Sequence, residues 1–431
     1  MSTKQTITKQ TTSKQTISKQ TTSNASINRR KFLATGGAAA AISGFPAIIR
    51  AQSGEIKLGT VLDGSGNLDI YGKPMVQAST LAVEELNAAG GVLGRKIKLI
   101  QYDTQSDIAL YTKFAQQLVR DDKVDVVHGG ITSASREAIR QTFTRSKTLY
   151  FYNTRYEGGV CDANTICTGT TPAQAVEPLI AMATKNWGKK TYILAADYNY
   201  GQITAKWIQH YLKLAGGQTL QTGFFPLDVA DFGSTIAKIQ QEKPDFISTA
   251  LVGGAHMSFY RQWAASGMNK KIPMISTTFG AGNEQAALSA AEGDGILCAS
   301  NFSQEDGDAK NKDFLARWQK KFGDLKPLHE IAVSQYNGIM LWAALAKKAG
   351  SLDRAALAKA MTAGASVTGP GGAMVLDPKT LHCTLDVHLI EVKGQKLTIK
   401  STAKGRPPSD TAAVCDLIKN PNENKQFEIT I

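Results

Sequence analysis

Histidine and cysteine are scarce in this chain, which has six of the former and five of the latter among 431 residues. Neither type forms a cluster with the spacing of zinc ligands, so no metal site is predicted. No histidine stands in a motif with Ser133 or Cys161 that could activate either one as a nucleophile, which argues against an enzyme such as an amidase. No Gly-x-Gly-x-x-Gly segment or phosphate-binding loop follows a predicted strand, so neither nucleotide binding nor a cofactor is indicated.

Acidic residues are absent from the first 51 residues, which hold five lysines and three arginines. This segment therefore carries +8 of the formal net charge of +13, and the remainder of the chain carries +5. An excess that small, spread without basic runs, needs no nucleic-acid partner. Hydrophobic residues make up 42% of the chain and charged residues 20%, which is typical of a globular protein with room for two domains.

A long hydrophobic run is also missing. The apolar stretch that ends at Ile49 spans about 17 residues and is interrupted by glycine, serine and proline, which makes a permanent membrane span a poor interpretation. Before it, residues 4–23 repeat a polar five-residue unit and are predicted to be disordered. The paired Arg29 and Arg30, the apolar stretch and the small Ala51 are typical of a twin-arginine export signal.

These features predict that residues 1–51 are a leader and signal peptide, with the twin-arginine export machinery as a partner. No cysteine ends the apolar stretch, so a lipid anchor has no attachment point. The mature protein is therefore expected to be exported and soluble in the periplasm.

The five cysteines suit such an oxidising compartment. Cys161 and Cys167 close a short loop, and Cys383 and Cys415 both lie in the C-terminal segment, so these two pairs are the predicted disulfides. Cys298 lies in an apolar run and is expected to be a small core residue.

From Glu55 onward, apolar runs typical of strands alternate with amphipathic segments typical of helices. Ile56–Leu62 has the pattern of a strand, Pro74–Ala89 that of a helix, and the alternation restarts after about residue 170. This predicts an α/β fold with two doubly wound parallel-sheet lobes joined by a multi-strand hinge. The predicted boundaries are 55–170 plus 301–370 for lobe 1 and 171–300 plus 371–431 for lobe 2.

Ligands bind beyond the carboxyl ends of strands in open parallel sheets, so the residues that follow each predicted strand are the candidate site. Hydroxyl and aromatic side chains gather there. Each has a plainer interpretation as well: Ser133 or Ser135 as a helix cap, Asp197 as the brace of a turn, and only one of two alternating tyrosines as a cleft residue. The candidates taken from the strand ends are Ser133, Tyr152, Thr154, Asp197, Tyr198, Tyr200 and Gly253.

The order of these residues resembles that in the periplasmic binding proteins of branched-chain amino acid transporters. The resemblance is greatest to the urea and short-chain amide branch of that family. The resemblance extends from about Glu55 into the 390s. Its most specific mark is the helix that ends in Asn87–Gly91, and the run Tyr156-Glu157-Gly158 points to the amide branch. The implied fold is that of a type I, Leu/Ile/Val-binding-like protein.

The resemblance also implies roles for individual residues. Ser133 and Thr154 would hold an oxygen of the solute, while Tyr71, Tyr152 and either Tyr198 or Tyr200 would cover it. The amino-acid binders place a glutamate after a later strand of lobe 2, whereas this chain has residues 277–282 there, with Glu284 beyond in an uncertain register. A buried ammonium without a carboxylate partner is costly, so a neutral amide, urea or a carboxylate is favoured over an α-amino acid unless Asp197 or Glu284 substitutes.

Arg155 would favour an anionic solute if it faces the cleft, but it could instead pair with Glu157 on the surface. The implied role is that of a substrate-binding component, which closes around a small polar solute and delivers it to an ABC permease in the inner membrane. A ligand-sensing receptor or regulator of the same fold is the alternative, and an amidase is the remote one.

Overall fold

Three β-sheets organise the described part of the chain. The computed structural model describes residues 54–282, 284–323 and 328–430, and the predicted leader and signal over residues 1–51 lie outside the described residues. In chain order the strands are β1 (Ile56–Leu62), β2 (Ile97–Asp103), β3 (Val126–Gly129), β4 (Leu149–Tyr152), β5 (Val160–Asp162), β6 (Thr165–Cys167), β7 (Lys190–Ala196), β8 (Gln218–Phe225), β9 (Phe246–Ala250), β10 (Met274–Ser276), β11 (Leu297–Ser300), β12 (Ser366–Gly369), β13 (Gly372–Leu376), β14 (Cys383–Lys393), β15 (Lys396–Arg406) and β16 (Asn424–Gln426).

Helices separate most of these strands. Among the described residues, none of the helices combines the length and the hydrophobicity required to span a bilayer. In chain order the α-helices are α1 (Asp69–Ala88), α2 (Ile108–Gln117), α3 (Ser133–Ser146), α4 (Pro172–Asn186), α5 (Asn199–Leu214), α6 (Gly233–Glu242), α7 (Gly253–Ala265), α8 (Glu284–Ala287), α9 (Ala290–Gly293), α10 (Ala309–Phe322), α11 (Glu330–Ala349), α12 (Arg354–Thr362) and α13 (Ser409–Ala412).

The sheet of the first lobe has the order β2-β1-β3-β4-β6, and all of its pairs are parallel. Successive residues of β3 point to opposite faces, so Val126 joins one core cluster and Val127 another. Helices α1 and α11 belong to the first cluster, and α2 and α3 to the second. Because helices cover both faces, the prediction of a doubly wound sheet is confirmed for this lobe.

The sheet of the second lobe has the order β12-β13-β14-β11-β10-β9-β7-β8, with β15 paired to β14. Strands β7 to β11 are parallel, and β12 to β15 extend the sheet as antiparallel strands. The chain passes between the two large sheets after β6, after β11 and before β12. Several connections of this kind form a hinge, because they must bend together when the lobes move.

Two of the predicted boundaries need correction. Segment 301–370 was assigned to lobe 1, but β12 within it pairs with β13 in the second sheet. Segment 371–431 was assigned to lobe 2, but β16 near its end pairs antiparallel with β5, beside the first lobe. The tail therefore returns across the hinge, which no periodicity in its sequence indicates.

The predicted disulfide pairing is wrong for the same reason. Cys161 is bonded to Cys415, 254 residues away, while Cys167 and Cys383 are buried free thiols. The returning tail brings Cys415 next to β5, so neither the Cys161–Cys167 nor the Cys383–Cys415 bridge forms. Cys298 is a buried core residue, as expected.

This pairing predicts a specific count of reactive thiols. Native protein should show no rapid alkylation, because all three free thiols are buried, whereas unfolded but unreduced protein should show three alkylated cysteines and reduced protein five. Mass spectrometry of the alkylated chain measures these counts, and the digest should contain one peptide pair that joins Cys161 to Cys415. A digest with Cys161 linked to Cys167 would contradict the structure.

Candidate functional site

A cavity lies where the carboxyl ends of strands from the two large sheets face each other. The enclosed space is small, which limits it to a solute of low molecular mass. The predicted ligand-binding residues that line it are Tyr71, Ser133, Tyr152, Thr154, Tyr198 and Tyr200. The further lining residues are Ile131, Thr132, Arg155, Val252, Thr278, Ala281 and Ile331.

The first turn of α3 supplies polar groups from the first lobe. The N-cap of this helix is Thr132, whose hydroxyl accepts a hydrogen bond from the Ser135 N–H at 3.0 Å, so Ser133 is not the cap. Within the part of the chain that the structure describes, the N–H groups of Ser133 and Ala134 have no hydrogen-bond acceptor. The start of a helix carries partial positive charge, and two unused N–H groups there suit an oxygen of a solute.

The two predicted hydroxyls are already engaged as donors. Ser133 Oγ donates to Oε2 of Glu157, and Thr154 Oγ1 donates to the carbonyl oxygen of Gly130 at 3.2 Å. A hydroxyl has one hydrogen and two acceptor lone pairs. In this arrangement both oxygens can therefore accept a hydrogen bond from a solute but cannot donate one.

A buried ion pair holds Glu157 behind Ser133. Arg136 Nη2 lies 2.8 Å from Oε1 of Glu157, and both side chains are fully buried. The guanidinium also stacks on the rings of Tyr152 and Tyr156, 5.0 and 4.7 Å from their centroids. Burial alone would lower the pKa of Arg136, but the neighbouring carboxylates, Glu157 foremost, raise it well above its usual value. Arg136 therefore remains charged beside Glu157.

Tyrosines from both lobes enclose the cavity. Tyr198 is the N-cap of α5 and Tyr200 lies in its first turn, so both face the cavity although they alternate in sequence. Tyr200 is within 3.0 Å of the Thr277 hydroxyl, and Tyr152 donates to the carbonyl of Ile131 at 2.8 Å. Burial raises the pKa of Tyr71, Tyr198 and Tyr200, which keeps these phenols protonated.

Glu284 lies directly behind Tyr71. The structure thus fixes the position of this glutamate, whose register was uncertain from the sequence. Its carboxylate accepts hydrogen bonds from the N–H groups of Gly280 and Gly282 at 3.0 and 3.1 Å, and the Tyr71 hydroxyl lies 3.4 Å away. His256 Nδ1 is 3.9 Å from the same carboxylate. Burial raises the pKa of Glu284 to about 7, although the backbone N–H groups favour its ionised form. The carboxylate thus lies beside the cavity without lining it.

Arg155 lines the cavity. It does not form the surface ion pair with Glu157 that was the alternative interpretation of the sequence. It donates to Glu330 at the start of α11 and to the carbonyl oxygens of Thr277 and Ala299, which follow or belong to strands of the second lobe. Its side chain is buried, and its Nε has no partner among the described residues. Arg155 therefore joins the two lobes and keeps one donor unused.

Two sequence-predicted residues are not part of the lining. Asp197 is exposed and accepts a hydrogen bond from Gln202 Nε2 at 3.0 Å, so it braces the first turn of α5. Gly253 begins α7, and its backbone lies near the Tyr71 phenol without lining the cavity. Sequence reasoning missed Arg136, whose signal was its position three residues after Ser133 on the same helical face.

The chain is similar to known proteins over most of its length. A family model of periplasmic binding proteins matches residues 55–396. A Leu/Ile/Val-binding protein homologue from Brucella abortus is 23% identical over 331 residues, which cover 72% of this chain and 82% of the homologue. The fold also matches solved structures of solute-binding proteins.

Two of these structures illustrate the match. One is an ABC-transporter solute-binding protein from Rhodopseudomonas palustris in complex with 3,4-dihydroxybenzoic acid, with a TM-score of 0.73, 24% identity and coverage of 83% of this chain and 99% of that one. The other is a leucine-binding protein from Thermotoga maritima, with a TM-score of 0.73, 19% identity and coverage of 82% and 99%. The family match over residues 55–396 shows that this chain belongs to the periplasmic binding protein family.

Proposed function

We propose that this protein is the extracytoplasmic substrate-binding component of an ABC importer. A solute in the cavity contacts residues of both lobes, so it stabilises the closed form by its greater affinity for that form. The closed, loaded protein then delivers the solute to a membrane permease. The leader over residues 1–51 serves twin-arginine export, and the mature protein acts in the periplasm without a lipid anchor. Cell fractionation tests this placement, since a full-length cytoplasmic chain would favour the alternative of a sensor.

The solute that the site suits best is urea or a short-chain amide. The observation that carries this proposal is the direction of the two hydroxyl hydrogen bonds, from Ser133 to Glu157 and from Thr154 to Gly130. An amide carbonyl can accept from the N–H groups at the start of α3, while its NH₂ group donates to the two hydroxyl oxygens. A carboxylate has only acceptors and would face those oxygens unsatisfied, at a cost of about 1–3 kcal/mol for each.

The charges around the cavity support a neutral solute as well. Arg136 is paired with Glu157, and Arg155 with Glu330, and all four side chains are buried. A neutral amide leaves both pairs intact. A charged solute would either compete for one member of a pair or enter without a counter-ion, and both alternatives are costly in a buried site.

A small carboxylate is the second candidate, because Arg155 lines the cavity and its buried Nε has no partner among the described residues. That N–H could donate to an anionic oxygen. Structurally similar proteins from Rhodopseudomonas palustris were solved with 3,4-dihydroxybenzoic acid and with 4-hydroxybenzoate. The tyrosines of the present cavity offer flat apolar surfaces that an aromatic ring could contact.

Matched solute pairs separate the two candidates. We expect propionamide to bind at least about tenfold more tightly than propionate, or benzamide than benzoate, since one misplaced polar contact costs about 1.4 kcal/mol. Isothermal titration calorimetry of the purified mature protein measures the four dissociation constants, with urea and leucine as further solutes. Thermal-shift measurements rank the same solutes, because a ligand that binds only the folded form raises the melting temperature.

A variant that lacks both hydroxyls, Ser133→Ala with Thr154→Ala, is the matched control. It should lose the preference for the amide, because no acceptor remains for the NH₂ group. Tighter binding of the carboxylate in both pairs would support the second candidate instead. Capture of no solute at all, or unaltered capture by the double variant, would contradict the proposed site, and ammonia release from a bound amide would revive the amidase alternative.

A further inference from the structure

The C-terminal tail, residues 413–430, lies outside the matched residues 55–396 and is held firmly against the first lobe. The disulfide between Cys161 and Cys415 anchors its beginning. Strand β16 pairs with β5, and the Phe427 N–H donates to the carbonyl of Gly159 at 2.8 Å. These contacts place the tail behind the wall of the cavity that Ser133 lines.

Gln426 is the tail residue that reaches the buried ion pair. Its Nε2 donates to Oε1 of Glu157 and, at 3.3 Å, to the carbonyl of Gly158. Its Oε1 accepts from Arg136 Nη2 at 2.9 Å, and the same Nη2 donates to Oε1 of Glu157 at 2.8 Å. The three side chains thus form a closed ring of hydrogen bonds in which both ends of the Gln426 amide are used.

This ring determines how Glu157 is oriented. The terminal torsion of a glutamate is broad, so its carboxylate has no strong orientation of its own. Gln426 and Arg136 both hold Oε1, which leaves Oε2 against the Ser133 hydroxyl. The hydroxyl hydrogen of Ser133 therefore points towards Glu157 and away from the cavity, because Gln426 of the tail helps to orient the carboxylate that accepts it.

We propose that Gln426 is a positioning residue that keeps Ser133 in its acceptor role and thereby sets the preference for an amide over a carboxylate. The inference deepens the proposed function and rests on it. A tail that only stabilised the first lobe would change the affinity for both solutes of a pair to the same extent. A positioning role changes the ratio of the two dissociation constants.

The test compares two variants of Gln426 with a control on the same strand. Gln426→Met keeps the length of the side chain but can neither donate nor accept strongly, and Gln426→Glu places a second carboxylate beside Glu157, which favours protonation of one of them. Both variants should lower the amide-to-carboxylate preference about tenfold, as expected when one hydrogen bond changes role. Asn424→Ala is the control, because Asn424 contributes only backbone groups to the described hydrogen bonds.

Calorimetry with propionamide and propionate, and with benzamide and benzoate, measures the ratio for each protein. If the melting curve shows that Gln426→Met does not fold, the ratio measured for the polar Gln426→Glu variant decides whether the inference holds. Folded variants that keep the wild-type ratio, or that weaken both solutes of a pair equally, would overturn the inference while leaving the proposed function intact. A wild-type protein with no preference for the amide would instead overturn the proposed function, and this inference with it.

Discussion

Replacing Arg155 by Ala should lower the free energy of unfolding by about 3–5 kcal/mol, the range found when one partner of a buried ion pair is removed. Glu330 is fully buried, and without Arg155 the described hydrogen bonds leave it only the Thr170 hydroxyl, at 3.0 Å, as a side-chain donor. The carbonyl oxygens of Thr277 and Ala299 would lose a donor as well. Urea denaturation followed by circular dichroism measures the change.

Two comparisons make the Arg155 result specific. Lys73→Ala removes an exposed ion pair with Asp69 and should change the free energy of unfolding by no more than about 0.5 kcal/mol. Adding Glu330→Gln to Arg155→Ala should restore part of the lost stability, because the uncompensated charge disappears. A loss below about 1 kcal/mol for Arg155→Ala would mean that the pair is not buried in solution.

Replacing Glu284 by Gln should make the protein less sensitive to rising pH. The folded-state pKa of Glu284 is raised to about 7 from an ordinary value of 4.5, so the folded protein retains a proton that the unfolded chain has lost. Wild-type stability therefore falls as the pH rises through this interval. The advantage of the variant over the wild type should grow by about 2 kcal/mol between pH 5.5 and pH 8.

The pH dependence of wild-type stability must be compared with that of Glu284→Gln, because buried histidines make the folded protein more stable as the pH rises. Burial lowers the pKa of His128, His256 and His329 to about 3 and that of His382 to about 4. Each contributes stability above its ordinary value of 6.5 that is lost as the pH falls. These contributions cancel in the difference between the two proteins from pH 5.5 to pH 8, and that of His256 beside Glu284 does so because its folded-state pKa of about 3 keeps it neutral there. A difference that stays constant from pH 5.5 to 8, measured by urea denaturation, would show that Glu284 is not proton-bearing in the folded state.

Local patterns predicted the regular elements well. The strand at Ile56–Leu62 has the predicted bounds, because an uninterrupted apolar run is sufficient to define a strand. Helix α1 begins at Asp69, earlier than the predicted Pro74, since a proline within a helix removes one hydrogen bond without ending it here. The boundaries between lobes and the course of the tail were predicted less well, because they depend on contacts between distant segments.

The candidate site was predictable to the extent that it follows the geometry of parallel sheets. Ser133, Thr154 and the tyrosines after β7 line the cavity because they follow strands whose carboxyl ends meet there. The roles of charged residues were not predictable. Arg155 pairs with Glu330, and Arg136 with Glu157, and such choices depend on which side chains the closed fold buries together.

Periodicity along the chain was sufficient to predict the alternation of strands and helices, the two lobes and the edge at which the cavity lies, because local sequence and the chirality of the backbone dictate these features. The folded chain alone reveals that Cys415 bonds to Cys161, that Gln426 reaches Glu157, and that the Ser133 hydroxyl is used as a donor within the protein. Hydrogen-bond direction and disulfide pairing depend on which groups meet in space, and segments hundreds of residues apart meet only once both lobes and the returning tail are folded.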